Sequence, residues 1–279
     1  MITKQQLDER KGYLGGSDMP IIMGLSKFMT PYQLYLQKLG LLEQSQEENE
    51  YQYWGNIMEP IIRSEFERRN SVSVYETCKT HVHPLFEFVQ GHFDGEIDDY
   101  KSIFEAKTCS AFASQEWGEE DTAQVPIQYI IQVATYCSIK NWPSAHIAVL
   151  IGGNTYKQYK YTRDLDLESR ILDSACSFWD AVESKESDNI KLINIDDLKL
   201  RYTKHIQGKS AQVNEIILEK LSKMNDVKSK LKELKEIEEQ SKFEIMEYMK
   251  DCESIIDESE KVLCTWKTNK SGNRTFLLK

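Results

Sequence analysis

The stretch "GHFDGEIDDYKSIFEAKT" (residues 91–108) reads as two short strands joined by a polar turn, with charge where a packed sheet favours apolar side chains. Asp94 lies in one strand, and Glu105 and Lys107 lie in the other. Side chains alternate along a strand, so Glu105 and Lys107 point the same way. If residues 85–94 pair antiparallel with 102–109, Asp94 reaches that face from the end of its strand. Buried carboxylates repel one another and are costly to desolvate unless something neutralises them. A hard divalent cation does so with oxygen ligands, here Asp94, Glu105, the Ala106 carbonyl and water. A cation so held acidifies water and stabilises charge on a phosphoryl oxygen. Lys107 then sits beside that water, able to orient it or help deprotonate it. The same residues also fit a plainer arrangement, strand-end acids bridged to lysine at the surface. The apolar neighbours Phe88, Val89, Phe93, Ile103 and Phe104 favour burial and the metal reading.

Composition bounds what surrounds this hairpin. The chain has 279 residues, enough for one large domain or two with an ample core. Its formal net charge of −10 argues against nonspecific attraction of the whole molecule to nucleic acid or anionic membrane, while leaving room for a local basic cleft. The opening "MITKQQLDERKGYLGG" contains no apolar signal region, and the run near "HIAVLIGG" is too short to span a bilayer. The expectation is a cytoplasmic protein with no membrane partner. Cys78, Cys109, Cys137, Cys176, Cys252 and Cys264 are scattered, with no C-x-x-C pair, so free and mostly buried thiols are expected rather than a zinc ribbon or iron–sulfur site.

Along the chain two parts differ in character. Residues 1–184 mix helices and strands. "TPYQLYLQKLGLLE" (30–43) predicts a helix capped by Thr30, with Pro31 in its first turn. Residues 44–50 read as a polar connector. Residues 54–70 resume helix, with Ile57, Ile61, Ile62 and Phe66 on one side. Strands are expected at 72–78, 85–94 and 102–109, a helix over 122–140 opened by Pro126, a hairpin turning at Gly152-Gly153-Asn154, and a helix over 164–184. Residues 185–209 read as a linker or loosely packed arm. Residues 210–279 form an appended module. In it Val213, Ile217, Leu221, Met224, Leu231, Leu234 and Ile237 recur mostly at threes and fours along a charged helix. That helix suits either a dimeric coiled coil or an internal helical hairpin. A terminal hairpin turns at Ser271-Gly272-Asn273.

The N-terminal loop "LGGSDMPIIMG" supports two compatible readings. Gly15 and Gly16 permit close approach of backbone to a neighbour or ligand. Ser17 or Asp18 suits the cap of a helix starting near Met19-Pro20, and a helix start with a serine hydroxyl also suits a phosphate.

Asp94, Glu105 and Lys107 have the D-x(10)-E-x-K spacing of the PD-(D/E)XK nucleases. With "GGSDMPIIMGLSKFMTPYQLYLQKLG", "WGNIMEPIIRSEF", "GHFDG", "EAK" and "VPIQYIIQVATYC" in this order, residues 8–165 resemble the YqaJ-type viral recombinase nucleases, relatives of lambda exonuclease. The resemblance implies an α/β fold with a mixed central sheet flanked by helices. It implies that Asp94 and Glu105 bind metal, that Lys107 is catalytic, and that Glu59 of "GNIMEP" completes the site for a second ion. Gln132 and Tyr129 match the helix motif beside the site, which implies that Gln132 joins the catalytic set and Tyr129 a DNA phosphate contact, with Tyr136 on the same face. Ser17 matches a phosphate-binding serine, and Arg10 stands at the family's arginine position seven residues before it. An arginine that processive members carry after the catalytic lysine is missing; Ala113 falls near that position, and the acidic run 116–124 follows it.

The activity so implied is 5′-to-3′ exonuclease digestion of linear double-stranded DNA, leaving 3′ overhangs for recombination, with Mg²⁺ or Mn²⁺, as two ions. Implied partners are a single-strand annealing protein (RecT-like) and further copies of the chain, as a trimeric ring. Two alternatives stand beside it: an end-independent endonuclease or repair nuclease with the same metal core, and a non-catalytic DNA-binding coiled-coil adaptor.

Overall fold

The structure is a computed structural model, and it describes residues 8–43, 49–77, 79–120, 122 and 124–279. The chain divides into two compact units, one ending at Lys204 and one comprising His205–Lys279. In chain order the first contains β1 (Leu14–Gly15), α1 (Met19–Ile22), α2 (Pro31–Lys38), α3 (Glu50–Asn70), β2 (His81–Val82), β3 (Val89–Gly91), β4 (Gly95–Ile97) and β5 (Ser102–Cys109). It continues with α4 (Ile127–Lys140), β6 (Ser144–Ile151), β7 (Thr155–Thr162), α5 (Leu165–Ser184) and α6 (Ile195–Arg201).

Local chemistry sets most of these boundaries. The Thr30 hydroxyl accepts from the Gln33 amide at 3.1 Å and the Gln33 side chain accepts from the Thr30 amide at 3.0 Å, so α2 starts with a reciprocal cap. The same device, Asn49 with Gln52, starts α3 earlier than the apolar pattern predicted. Residues 44–48 of the expected connector lie outside the described residues. Helix α4 begins directly after Pro126 rather than at 122. Gly152 and Gly153 take φ of +61° and +80° between β6 and β7, the conformation that the expected hairpin turn requires.

A four-stranded mixed sheet of order β4-β5-β6-β7 forms the centre. Only β5 and β6 run parallel. Helices cover both faces. Ile103, Ala145, Ile147 and Val149 pack with Ile131 and Ala134 of α4 and with Ile171 and Phe178 of α5. On the other face Phe104, Ala106 and Ala148 meet Ile62 and Phe66 of α3. Strand β5 is therefore buried on both sides, the setting in which a strand must be apolar throughout or carry a reason not to be.

Three strand and helix expectations change. Of the expected strand 72–78, the described residues 72–77 form none, with Tyr75 making a single bridge to Glu96 and Cys78 lying outside the described residues. The expected strand 85–94 is cut to β3, which belongs to a separate sheet of order β1-β3-β2. The antiparallel partner of β5 is β4, with Gly95 opposite Phe104. Gly95 makes that switch between sheets sterically possible, since a Cβ there would stand 2.3 Å from Val74 Cγ1. On α3 only Ile62 and Phe66 are buried, while Ile57 and Ile61 are exposed, because Gly55, Glu59 and Arg63 face the end of β5 and Asp94 instead.

The stretch 185–209, expected as a linker or arm, is structured up to the end of its unit. Asp197 of α6 is fully buried, accepts from the Thr30 hydroxyl at 2.6 Å and from the Ile193 amide at 2.7 Å, and so fixes α6 to the start of α2.

The second unit holds α7 (Glu215–Met249), β8 (Ser254–Ile256), β9 (Val262–Thr268) and β10 (Arg274–Leu278). Helix α7 is continuous for 35 residues, with no internal hairpin. The terminal hairpin β9–β10 gains β8, which the sequence reading missed, in an antiparallel sheet of order β10-β9-β8. Met249 and Cys264 are buried beneath it. Of the cysteines, Cys137 and Cys264 are buried and Cys252 is exposed, while Cys78 lies outside the described residues. Among the described residues no helix is long and apolar enough to cross a membrane.

Candidate active site

Asp94 sits in the kink between β3 and β4, where the chain passes from one sheet to the other. Its Oδ2 accepts from the Ala106 amide at 2.8 Å. A side chain thus continues the β4–β5 ladder past the last backbone pair, and the kink itself aims the carboxylate at β5. Glu105 is 2% exposed and lies on the α4 face of the sheet with Ile103. Glu105 Oε1 accepts from Lys107 Nζ and, at 2.7 Å, from Gln132 Nε2 of α4. Gln132 Nε2 also donates to the Tyr136 hydroxyl, one helical turn on, at 2.9 Å. The Lys107 ammonium stands 5.2 Å from the centre of the Tyr129 ring, which stacks on Trp117. The strand pair and the helix motif therefore meet as one cluster.

Electrostatics agree with the geometry. Burial and the Asp94 charge push Glu105 above the usual carboxylate range, and burial raises Asp94 as well. Burial works against the charge on Lys107, but Glu105 and Asp94 outweigh it and raise its proton affinity. Glu59 of α3, half-buried near Asp94, is pushed up to about 7 by burial and by the Asp94 charge, against the opposing pull of Arg63. Carboxylates raised by burial and by one another's charge around a single lysine describe a site that is short of positive charge.

A divalent cation fits that shortage. Glu105 Oε2 is buried and without a hydrogen-bond partner, beside the Asp94 carboxylate. Among the described residues no three Asp, Glu, His or Cys side chains group closely enough to enclose an ion alone. Asp94 and Glu105 would hold it, with the Ala106 carbonyl and water completing the shell and Glu59 flanking.

The N-terminal residues lie along a different edge. Gly16 is buried against Tyr136, and a Cβ there would stand 2.3 Å from the ring. Ser17 is exposed at the turn that follows. Neither Ser17 nor Asp18 caps α1, which is a single turn of four residues. Asp18 instead turns back, accepting from the Gly15 amide at 2.9 Å and from Lys38 at 2.8 Å. Arg10, half-buried in a short 3-10 turn, bears electrostatically on both His92 and Tyr136, which places it on the cluster's N-terminal flank. No direct contact joins Arg10 or Ser17 to Glu105 or Lys107 in the described residues. Glu116, in the acidic run, is paired with Lys27.

Arg63 is the site residue that the sequence reading passed over. It donates to the Asp94 carbonyl at 3.2 Å and pairs with Glu76 at 3.1 Å. Its signal was present: it follows Glu59 by one helical turn on α3.

Residues 6–142 match the model of the YqaJ-like viral recombinase domain. The protein YqaJ of Bacillus subtilis (strain 168) is 33% identical over 262 residues, covering 91% of this chain and 80% of its own length. Among solved structures, an alkaline exonuclease from Laribacter hongkongensis superposes with a TM-score of 0.52 at 18% identity, over 72% of this chain and 98% of that one. The same exonuclease has also been solved in complex with dAMP, with the same agreement. The structural likeness is one of fold.

Proposed function

The chain belongs to the YqaJ-like viral recombinase family, and from that premise we propose that it is a metal-dependent 5′-to-3′ exonuclease on linear double-stranded DNA, producing 3′ single-stranded overhangs for recombination. The observation that carries this reading is Glu105, buried with one oxygen unpartnered between Asp94, Lys107 and Gln132. An exonuclease of the same fold, crystallised with a deoxynucleoside monophosphate, supports the substrate class.

The roles follow from position. Mg²⁺ or Mn²⁺, as two ions held by Asp94, Glu105 and Glu59, would supply an acidified water and charge stabilisation at the phosphoryl oxygens. Asp94 is aimed by its bond to the Ala106 amide and fixed behind by Arg63. Gln132 holds Glu105 through Oε1, leaving Oε2 without a hydrogen-bond partner, the oxygen that would bind the ion. Lys107 keeps its proton, so it orients the attacking water and opposes developing negative charge rather than acting as the base. Glu59, poised at about 7, can take up a proton near neutral pH. Tyr129 forms a wall over Lys107. Arg10 and Ser17 position a phosphate of the substrate strand, Arg10 through a charge-assisted contact. With Ala113 in place of a second arginine, preference for a 5′-phosphate end is modest. A single-strand annealing protein of the RecT type and further copies of the chain, as a ring, complete the proposed assembly in the cytoplasm.

The test uses linear duplex labelled at either end and covalently closed circular duplex, each with pure protein and Mg²⁺. The reading predicts release of mononucleotides from 5′ ends and an intact circle. Cleavage of the circle would favour the end-independent nuclease. No digestion of either substrate would favour the adaptor.

A further inference from the structure

Helix α7 contains a feature that nothing in the proposed catalysis uses. Every residue from Glu215 to Glu244 is exposed, including Ile217, Met224, Val227, Leu231 and Leu234. These five fall seven, three, four and three residues apart, the heptad spacing that keeps a seam on one side of a gently supercoiled helix. A helix of 35 residues is about 52 Å long, ample for a two-helix interface.

Charge along the helix is segregated rather than mixed. Between 220 and 235 there are six lysines and two acids; between 236 and 247 there are five glutamates and one lysine. The two blocks are equal and opposite in net charge. Of the six lysines only Lys232 is ion-paired among the described residues, to Glu236 at 3.9 Å. Two copies laid parallel would set lysine block on lysine block and glutamate block on glutamate block. Laid antiparallel, each basic block meets the partner's acidic block. The two-fold axis then falls near the block boundary at Lys235 and Glu236, with Leu231 and Leu234 beside it.

We propose that α7 is a self-association surface, and that two copies of this chain pair through it as an antiparallel coiled coil. Exposed ion pairs are individually weak, so the orientation rests on the summed blocks and on avoiding like-charge contact. The pairing is therefore weakened by salt.

The test is the solution mass of the full chain together with zero-length carboxylate–amine cross-linking. The proposal expects cross-links from Lys223, Lys228 or Lys230 to Glu239, Glu244 or Glu247. Within one straight helix Lys228 and Glu244 are about 24 Å apart, so such links must join two copies. Lys223→Glu with Lys228→Glu and Lys230→Glu should halve the mass while helicity is kept. Adding Glu239→Lys, Glu244→Lys and Glu247→Lys to the same chain should restore it. Other surfaces that join copies do not answer to this charge swap. A monomeric full chain at tens of micromolar in low salt, a mass indifferent to the lysine reversals, or cross-links confined to residues one turn apart would each overturn the proposal. A monomer that takes up a different protein on this face would overturn it too.

Discussion

At Lys107 two opposing effects meet. Desolvation weakens its charge, and the carboxylates of Glu105 and Asp94 restore it, with the carboxylates winning. Replacing it with alanine leaves the acids and the unpartnered Glu105 oxygen in place, so cation binding should survive while the chemical step fails. A loss of about 4 kcal/mol of transition-state stabilisation corresponds to about a thousandfold in rate. Single-turnover rates beside calorimetric Mn²⁺ titration separate the two; equal loss of both would show that Lys107 builds the site rather than acts in it. The acids also set a pH dependence. Glu59 titrates at about 7 when folded and in the ordinary glutamate range, about 4.3, when unfolded. Between those values the folded state binds more protons, so stability is full below the unfolded pKa and falls as pH rises through the folded one. Glu105 shifts in the same direction. Melting temperatures in chelator should therefore decline from about pH 5 to about pH 8. Glu59→Gln should flatten the decline and divalent cation should lift its upper end. An unchanged slope in Glu59→Gln would remove Glu59 from the cluster.

At the scale of elements, the N-terminal loop is joined to α4 by one contact that tolerates no added atom. Gly16→Ala would put a methyl carbon 2.3 Å from the edge of the Tyr136 ring, an overpacking that costs about 1–3 kcal/mol. It should displace the loop bearing Ser17 and weaken DNA binding, and Tyr136→Leu in the same chain should recover part of both, as read by thermal melts and duplex affinity. Helix α6 gives a second test. We propose that the catalytic unit extends to Lys204 rather than stopping at 184, because Asp197 ties α6 to α2. Asp197→Ala leaves the Ile193 amide without its carboxylate partner and should lower stability by about 2 kcal/mol, most of it a lost bond to a charged group. A neutral result would leave 185–204 as an arm.

Across the whole molecule, what was legible in the sequence depended on how local its cause was. The Thr30 cap, the Gly152-Gly153 turn and the β6–β7 hairpin are written within a few residues and read off directly. The shared face of Glu105 and Lys107 follows from strand alternation alone. The sheet switch at Asp94 was missed because β3 and β4 look like one continuous strand, and only the close packing of Gly95 on Val74 divides them. Buried Asp197 and the role of Arg63 were missed for a like reason. Their partners, Thr30 and Asp94, are remote in sequence, and a polar residue in a charged stretch looks solvated until its partner is known. Gln132 and Glu59 gained their place from family resemblance, and the structure brings both near Asp94 and Glu105.

We propose that Asp94, Glu105 and Lys107 form one hydrolytic site for DNA ends. It is tested most directly by a time course on end-labelled linear duplex with Mg²⁺, comparing wild type with Glu105→Ala at matched folded concentration. The account predicts that nucleotide release stops in the variant. It also predicts that the variant's melting temperature in chelator is no lower than that of wild type at about pH 8, since one member of a like-charged buried cluster is gone. Digestion by Glu105→Ala at the wild-type rate would contradict the account.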